Sequence, residues 1–368
     1  MIFEDSYLID LFRRLVACDS PSYGENAVRD AVVKELAGMG VSAEEDDAAG
    51  KIGGSCGNLY AFIDGNHDLE PVLFSSHLDT VEPSRGKTAV LHDDGVITSD
   101  GGTVLGADDV GGLASILCAL KQIIESGEDH RPVELVFDVC EERYCVGVQK
   151  FDFPRIRSKE VYVLDLDGPV GRAAVEAPSI IQWKAEFNGR PAHAGFSPEE
   201  GLHAIKAAAE AVGEVECGRI GGLTVNVGTI SGGIADNIVP GSCTVTGEIR
   251  GFEDASVTAK ADEIGRIMTS AAERRGMTCA YSYDVICRAF HTDVSSGVCR
   301  RYEEACRAVG AEAEFIRTYG ASTNNHWALH GLSGIVISCA MNNCHSVKEW
   351  SSVNELKRSC AIVRELMK

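Results

Sequence analysis

No apolar stretch in these 368 residues approaches the ~20 needed to cross a bilayer. No run of lysine and arginine exceeds a pair, and 34 basic residues face 55 acidic ones for a formal charge of −21. Such a surface repels phosphate backbones and anionic membranes, so neither nucleic acid nor a lipid surface is expected as a partner. The opening segment Met1-Ile-Phe-Glu-Asp-Ser-Tyr7 lacks the basic stretch of an export signal and carries two acids where apolar residues belong. A cytoplasmic protein is expected. Among 14 cysteines, spread from Cys18 to Cys360, there is no C-x-x-C pair and no small-domain spacing. Reduced thiols serving as small hydrophobes are the expectation, with a redox or thiolate-metal role as the alternative. Neither internal repeats nor low-complexity segments occur.

What is there describes an ordinary globular chain, 45% apolar and 24% charged. The length is large for one core, so two domains are expected. Residues 5–17 and 24–38 read as amphipathic helices, the second opened by a capping box of Ser22 with Glu25 and closed by Gly38 and Gly40. Strands are expected at 58–63 and 71–76, then a helix over 110–125 with Leu113, Ile116, Leu117, Leu120 and Ile124 on one side. Strands at 133–139 and 161–164 are almost wholly apolar, as in a parallel sheet covered on both faces.

From about Ser179 the order becomes strand 180–187, helix 201–215, strands 223–230 and 238–250, helix 255–275 and strand 277–285. That β-α-β-β-α-β order is the ferredoxin-like plan. The α/β pattern resumes with a helix over 294–309 and a strand over 334–339. The expected architecture is α/β: a discontinuous domain of residues 1–176 and 288–368 with a mostly parallel sheet, carrying an inserted α+β domain of residues 177–287.

Several groups suited to metal or proton chemistry fall just after expected strands: His77 and Asp79, Glu141 and Glu142, Asp165 and His345, while Asp108 and Asp109 follow a glycine-rich turn. Open α/β sheets gather their sites at the carboxyl ends of strands, so these residues would converge. Two histidines and several carboxylates in one crevice describe a binuclear metal site. In His77-Leu-Asp79 the two side chains point the same way, which lets Asp79 fix the imidazole. Asp109 suits an N-cap while Asp108 faces the crevice and holds metal. Beside a divalent ion, one of Glu141 and Glu142 would bind it and the other take a proton from water. Asp165 is the strand-end ligand and Asp167, before Gly168-Pro169, a turn residue. Cys344 competes with His345 but suits oxygen-rich surroundings less well.

These segments carry a family resemblance. Ser75-Ser-His77-Leu-Asp79-Thr-Val-Glu-Pro83, Ser99-Asp-Gly101, Val104-Leu-Gly-Ala-Asp108-Asp109, Glu141-Glu142 and Leu164-Asp165-Leu-Asp167-Gly-Pro-Val-Gly171 resemble the co-catalytic metallopeptidases. So do Ala192-His193-Ala-Gly-Phe-Ser-Pro-Glu-Glu-Gly201, Asp236-Asn237-Ile-Val-Pro240 and Gly247-Glu-Ile-Arg250 in the inserted domain. That family includes peptidase T, glutamate-releasing carboxypeptidase and aminoacylase, and the chain is most similar to its peptidase T and tripeptidase branch. The resemblance implies a phosphorylase/hydrolase-like zinc-peptidase domain with a lid. It implies two divalent ions, zinc before cobalt or manganese, with His77 and Asp165 on one, Glu142 and His345 on the other, and Asp108 bridging. Glu141 would be the general base acting on a metal-bridging water, and Asp79 the orienting acid. His193, Asn237 and Arg250 of the lid would contact substrate, a short peptide, and the lid would support a homodimer. Two departures stand out: Gly320-Ala-Ser-Thr-Asn-Asn325 puts Thr323 where the family has a charge, and Arg143-Tyr144 follows the glutamate pair.

The implied activity is hydrolysis of short peptides, tripeptide aminopeptidase-like. An N-acyl amino acid amidohydrolase or carboxypeptidase on the same scaffold is the first rival, and a non-enzymatic metal- or thiol-binding protein the second.

Overall fold

The computed structural model describes residues 3–66 and 69–368, so Met1 and Ile2 of the segment read for an export signal lie outside it. The chain forms two compact units. One comprises the residues up to Glu176 with His291–Thr318 and Ser322–Lys368; the other comprises Ala177–Phe290 with Tyr319–Ala321. No helix among the described residues is long and apolar enough to cross a membrane.

The first unit is built on a nine-stranded sheet. At its centre Val133–Asp138, Val72–His77, Glu160–Asp167 and Ser333–Met341 run side by side and parallel. The strands Val72–His77 and Val133–Asp138 are buried at every position, which is why they read as mostly apolar runs. Antiparallel neighbours flank this centre: Leu59–Ile63 beside Val133–Asp138, and Arg172–Ala177 beside Ser333–Met341. All four parallel strands therefore end at one edge, with His77 level with Asp138.

The helix Ala107–Ser126 corrects the amphipathic expectation. It is buried on all sides from Ala107 to Leu120, because it lies between the sheet and the helices Phe3–Val16 and Val353–Met367. Its start sits on two strand ends. A Cβ on Gly111 would stand 2.4 Å from the carbonyl oxygen of Cys339, and one on Gly112 2.8 Å from that of Leu164. Only glycine allows that approach. A second correction concerns Ser22 and Glu25. No capping box forms: the Ser22 hydroxyl donates to Asp79 Oδ2 at 2.7 Å, and Glu25 Oε1 accepts the amides of Tyr23 and Cys140. A carboxylate acceptor outcompetes the neutral groups of a helix end.

The second unit has a five-stranded antiparallel sheet in the order Gly218–Ile220, Leu223–Gly232, Ser242–Gly251, Ser179–Asn188, Thr278–Cys287. Apart from the first short strand this is the ferredoxin-like order, with Ala204–Glu214 and Asp254–Glu273 packed on it. The single strand expected over 238–250 is two. Ile238–Val239 leaves the sheet to pair with Ala192–His193, and Ser242–Gly251 begins anew after Pro240-Gly241. Proline cannot donate to a ladder, and a Cβ on Gly241 would stand 2.7 Å from the Pro191 ring.

Candidate active site

The edge where the parallel strands end collects all five expected ligands into two clusters that share one residue. His77, Asp108 and Asp165 present donor atoms within 4.8 Å of one another, and so do Asp108, Glu142 and His345. Asp108 divides its oxygens between the imidazoles: Oδ1 lies 3.0 Å from His77 Nε2 and Oδ2 3.2 Å from His345 Nε2. Asp165 Oδ1 stands 3.9 Å from His77 Nε2, and Glu142 Oε1 3.0 Å from His345 Nε2. His77 is buried while the His345 side chain is 57% exposed, so the cluster opens to solvent on that side.

Glu141 and Glu142 occupy a one-turn 3-10 helix directly after Val133–Asp138. Asp79 holds that turn, accepting the amide of Glu141 on Oδ1 at 2.9 Å and that of Glu142 on Oδ2 at 3.2 Å. It reaches His77 less directly than i, i+2 spacing suggests. His77 Nδ1 lies 3.0 Å from the backbone carbonyl of Asp79 and 3.4 Å from its carboxylate. Either contact leaves Nε2 facing Asp108. Asp79 is thus shared between both halves of the cluster.

Further residues shape the site, and one of them, Glu349, was not singled out in the sequence. Glu349, buried, accepts the amides of Gly106 at 2.7 Å and Asp108 at 2.9 Å, which fixes the turn presenting Asp108. Asp109 does cap the helix, taking the amide of Gly112 on Oδ1 at 3.2 Å. It also binds the amide of His77 at 3.2 Å and the hydroxyl of Ser76 on Oδ2, locking the strand end to the helix start. Asp167, expected as a turn residue, closes the strand Glu160–Asp167 and lies level with Met341 of the neighbouring strand. Spacing offered no signal for Glu349, which acts on backbone amides distant in sequence.

Electrostatics fit a divalent-cation site. Five carboxylates (Asp79, Asp108, Glu141, Glu142 and Asp165) surround two imidazoles. Hydrogen bonds to Asp108 and Glu142 push His345 up to about 10. Burial would lower His77, but Asp108 and Asp79 outweigh it and raise the group well above its usual value. Burial and neighbouring negative charge hold Asp165 and Glu141 well above the carboxylate range. Burial works the same way on Asp108, yet the hydrogen bonds from both histidines keep it low. An excess of desolvated negative charge is what divalent cations at these donors offset. Cys344 belongs to neither cluster, and burial with the surrounding carboxylates raises its thiol. All 14 cysteines are free thiols.

The second unit holds the three expected substrate contacts. His193 and Asn237 neighbour each other, with Ala194 N donating to Asn237 O at 2.9 Å beside the pairing of His193 with Ile238. His193 Nδ1 accepts the amides of Gly195 and Phe196, each at 3.1 Å. Arg250 lies on another strand and its guanidinium is engaged. It donates to both Glu248 oxygens at 2.7 and 3.1 Å and to Tyr319 O at 2.9 Å. In the first unit, Thr323 is buried and donates to Asp138 Oδ2 at 3.0 Å. A carboxylate therefore stands behind this threonine, supplied by the strand Val133–Asp138. Arg143 and Tyr144 project into solvent.

Two family models match parts of the chain: Peptidase family M28 over residues 58–179 and a Peptidase dimerisation domain over residues 175–275. The Bacillus subtilis protein YqjE is 30% identical over 361 residues, covering 98% of this chain and 97% of that one. Among solved structures, the aminopeptidase PepT of Bacillus cereus superposes with a TM-score of 0.89 at 31% identity, covering 99% of both chains. A tripeptidase of Staphylococcus aureus gives 0.94 at 26% identity, covering 99% of this chain and 98% of that one. With this likeness running end to end and a two-cluster carboxylate–histidine site at the sheet edge, the chain belongs to the peptidase T and tripeptidase branch of the metallopeptidases.

Proposed function

We propose that this enzyme removes the amino-terminal residue of short peptides, tripeptides first, in the cytoplasm. It would use two zinc ions, one held by His77, Asp108 and Asp165, the other by Asp108, Glu142 and His345. One observation carries the reading: the two oxygens of Asp108 each face a different histidine, and each histidine has its own further carboxylate. Bound there, such ions polarise a carbonyl and bring the pKa of water from ~15.7 toward ~7.

The chain's own groups supply the rest. Glu141 is buried beside Glu142 and raised by burial, as suits a carboxyl that takes a proton from water and returns it to the leaving nitrogen. Asp79 keeps Glu141 and Glu142 in register by gripping both amides. Because two backbone amides donate to His193 Nδ1, the neutral ring carries its proton on Nε2 and is a donor there. That supports a role for His193 at the developing oxyanion, with Asn237 beside it. Arg250 offers a planar fork for the peptide carboxylate, and reaching it requires exchange with Glu248. The match to a dimerisation domain supports a homodimer formed through the second unit.

A hydrolysis panel tests the substrate class. The zinc-loaded protein should cleave a free-amine tripeptide far faster than its N-acetylated form or an N-acyl amino acid. Preference for the N-acylated compounds would move the enzyme to the amidohydrolases, and hydrolysis of neither would leave the metal- and thiol-binding alternative.

A further inference from the structure

The loop that carries Glu141 contains a contact that the reaction scheme above does not use. The Cys145 thiol donates to Glu141 Oε1 at 3.1 Å, and the Cys145 amide donates to the Glu141 carbonyl at 2.7 Å. Both side chains are buried, Cys145 at 4% exposure and Glu141 at 9%. The loop is closed tightly enough to hold three non-glycine residues in the left-handed region: Cys140 at φ 54°, Tyr144 at 63° and Cys145 at 55°. Such conformations persist where the surroundings over-determine them. The other end is tied in the same way. The Cys140 thiol donates to Glu25 Oε1 at 3.1 Å, and its sulfur accepts the amide of Tyr23.

We propose that Cys145 is the positioning residue of the general base: its thiol pins Oε1 of Glu141 and leaves Oε2 to exchange the proton with water and the leaving group. A thiol suits the position because it is a weak donor. It fixes the rotation of the carboxylate without drawing off the charge that makes the carboxylate a base. A cationic donor here would form a charge-assisted bond and hold the carboxylate ionised against proton uptake. The local strain aims Cys145 back at Glu141, four residues earlier.

The assignment rests on Glu141 being the base, and the experiment separates the two. In the zinc-loaded enzyme, Cys145→Ala should lower kcat about ten- to a hundredfold. KM and the zinc content per chain should stay unchanged, and Cys145→Ser should recover most of the loss. Wild-type kcat in the alanine variant, a serine variant no better than alanine, or a loss traced wholly to missing zinc would each overturn it. Infrared spectra give a second reading that does not depend on the alanine variant folding. The S–H stretching band absent from Cys145→Ser should shift between the wild type and Glu141→Gln, and an identical band in both overturns the contact. Substantial turnover by Glu141→Gln would instead remove the base assignment itself.

Discussion

Exchanging Glu141 for glutamine keeps the shape of the 3-10 turn but removes the proposed proton acceptor. Loss of a general base costs on the order of 10²–10⁴ in rate. Glu141→Gln should therefore lose turnover on that scale while retaining its metal ions, as steady-state kinetics and elemental analysis of the same sample would show. Glu349 makes the complementary prediction. Its two oxygens hold the amides that present Asp108, so Glu349→Ala should weaken metal binding about ten- to a hundredfold with all five ligands intact. Chelator competition measures this, and unchanged affinity would assign Glu349 to stability alone. The proposed ligands were legible because His77, Glu142, Asp165 and His345 stand at or just beyond strand ends and Asp108 follows a glycine-rich turn at a helix start. Glu349, Glu25 and the donating thiols were not, since nothing in their local spacing reveals which distant amide or carboxylate they meet.

At the scale of elements, the glycines opening Ala107–Ser126 let the helix start approach the strand backbone closely. Gly111→Ala would drive a methyl group against the Cys339 carbonyl, and overpacking of this kind costs about 1–3 kcal/mol. Urea unfolding should show that loss, with metal affinity falling too as Asp108 moves with the helix start. The short helix Asn324–Leu329 predicts a pH effect. Burial, and then the charge of His330, lower His326 to about 4. The unfolded chain binds that proton near 6.5, so stability is present above about 6.5 and is lost as pH falls toward 4. Between pH 7 and 5 the loss from this group is about 2 kcal/mol. His326→Phe should show a correspondingly shallower decline in its urea midpoint. The sequence showed the parallel strands because both faces are covered and the runs are mostly apolar. It placed the apolar residues of the helix over 110–125 on one side, because small residues such as Gly111, Gly112 and Ala114 hide how completely the helix is enclosed. It also ran Ile238–Val239 into the next strand, although Pro240-Gly241 marks the break.

For the whole molecule, an inserted ferredoxin-like unit that matches a dimerisation domain predicts a particle of twice the 39.3 kDa chain mass in light scattering. A monomer at all concentrations would leave this unit as a lid only. The net charge of −21 belongs to the same scale, since it disfavours polyanionic partners. The most direct test of the account is zinc titrated into chelator-stripped protein while the hydrolysis of a free-amine tripeptide is followed. Activity should be absent without metal, rise with zinc and level off at two ions per chain. Hydrolysis that persists without metal, or zinc uptake that brings no hydrolysis, would contradict it.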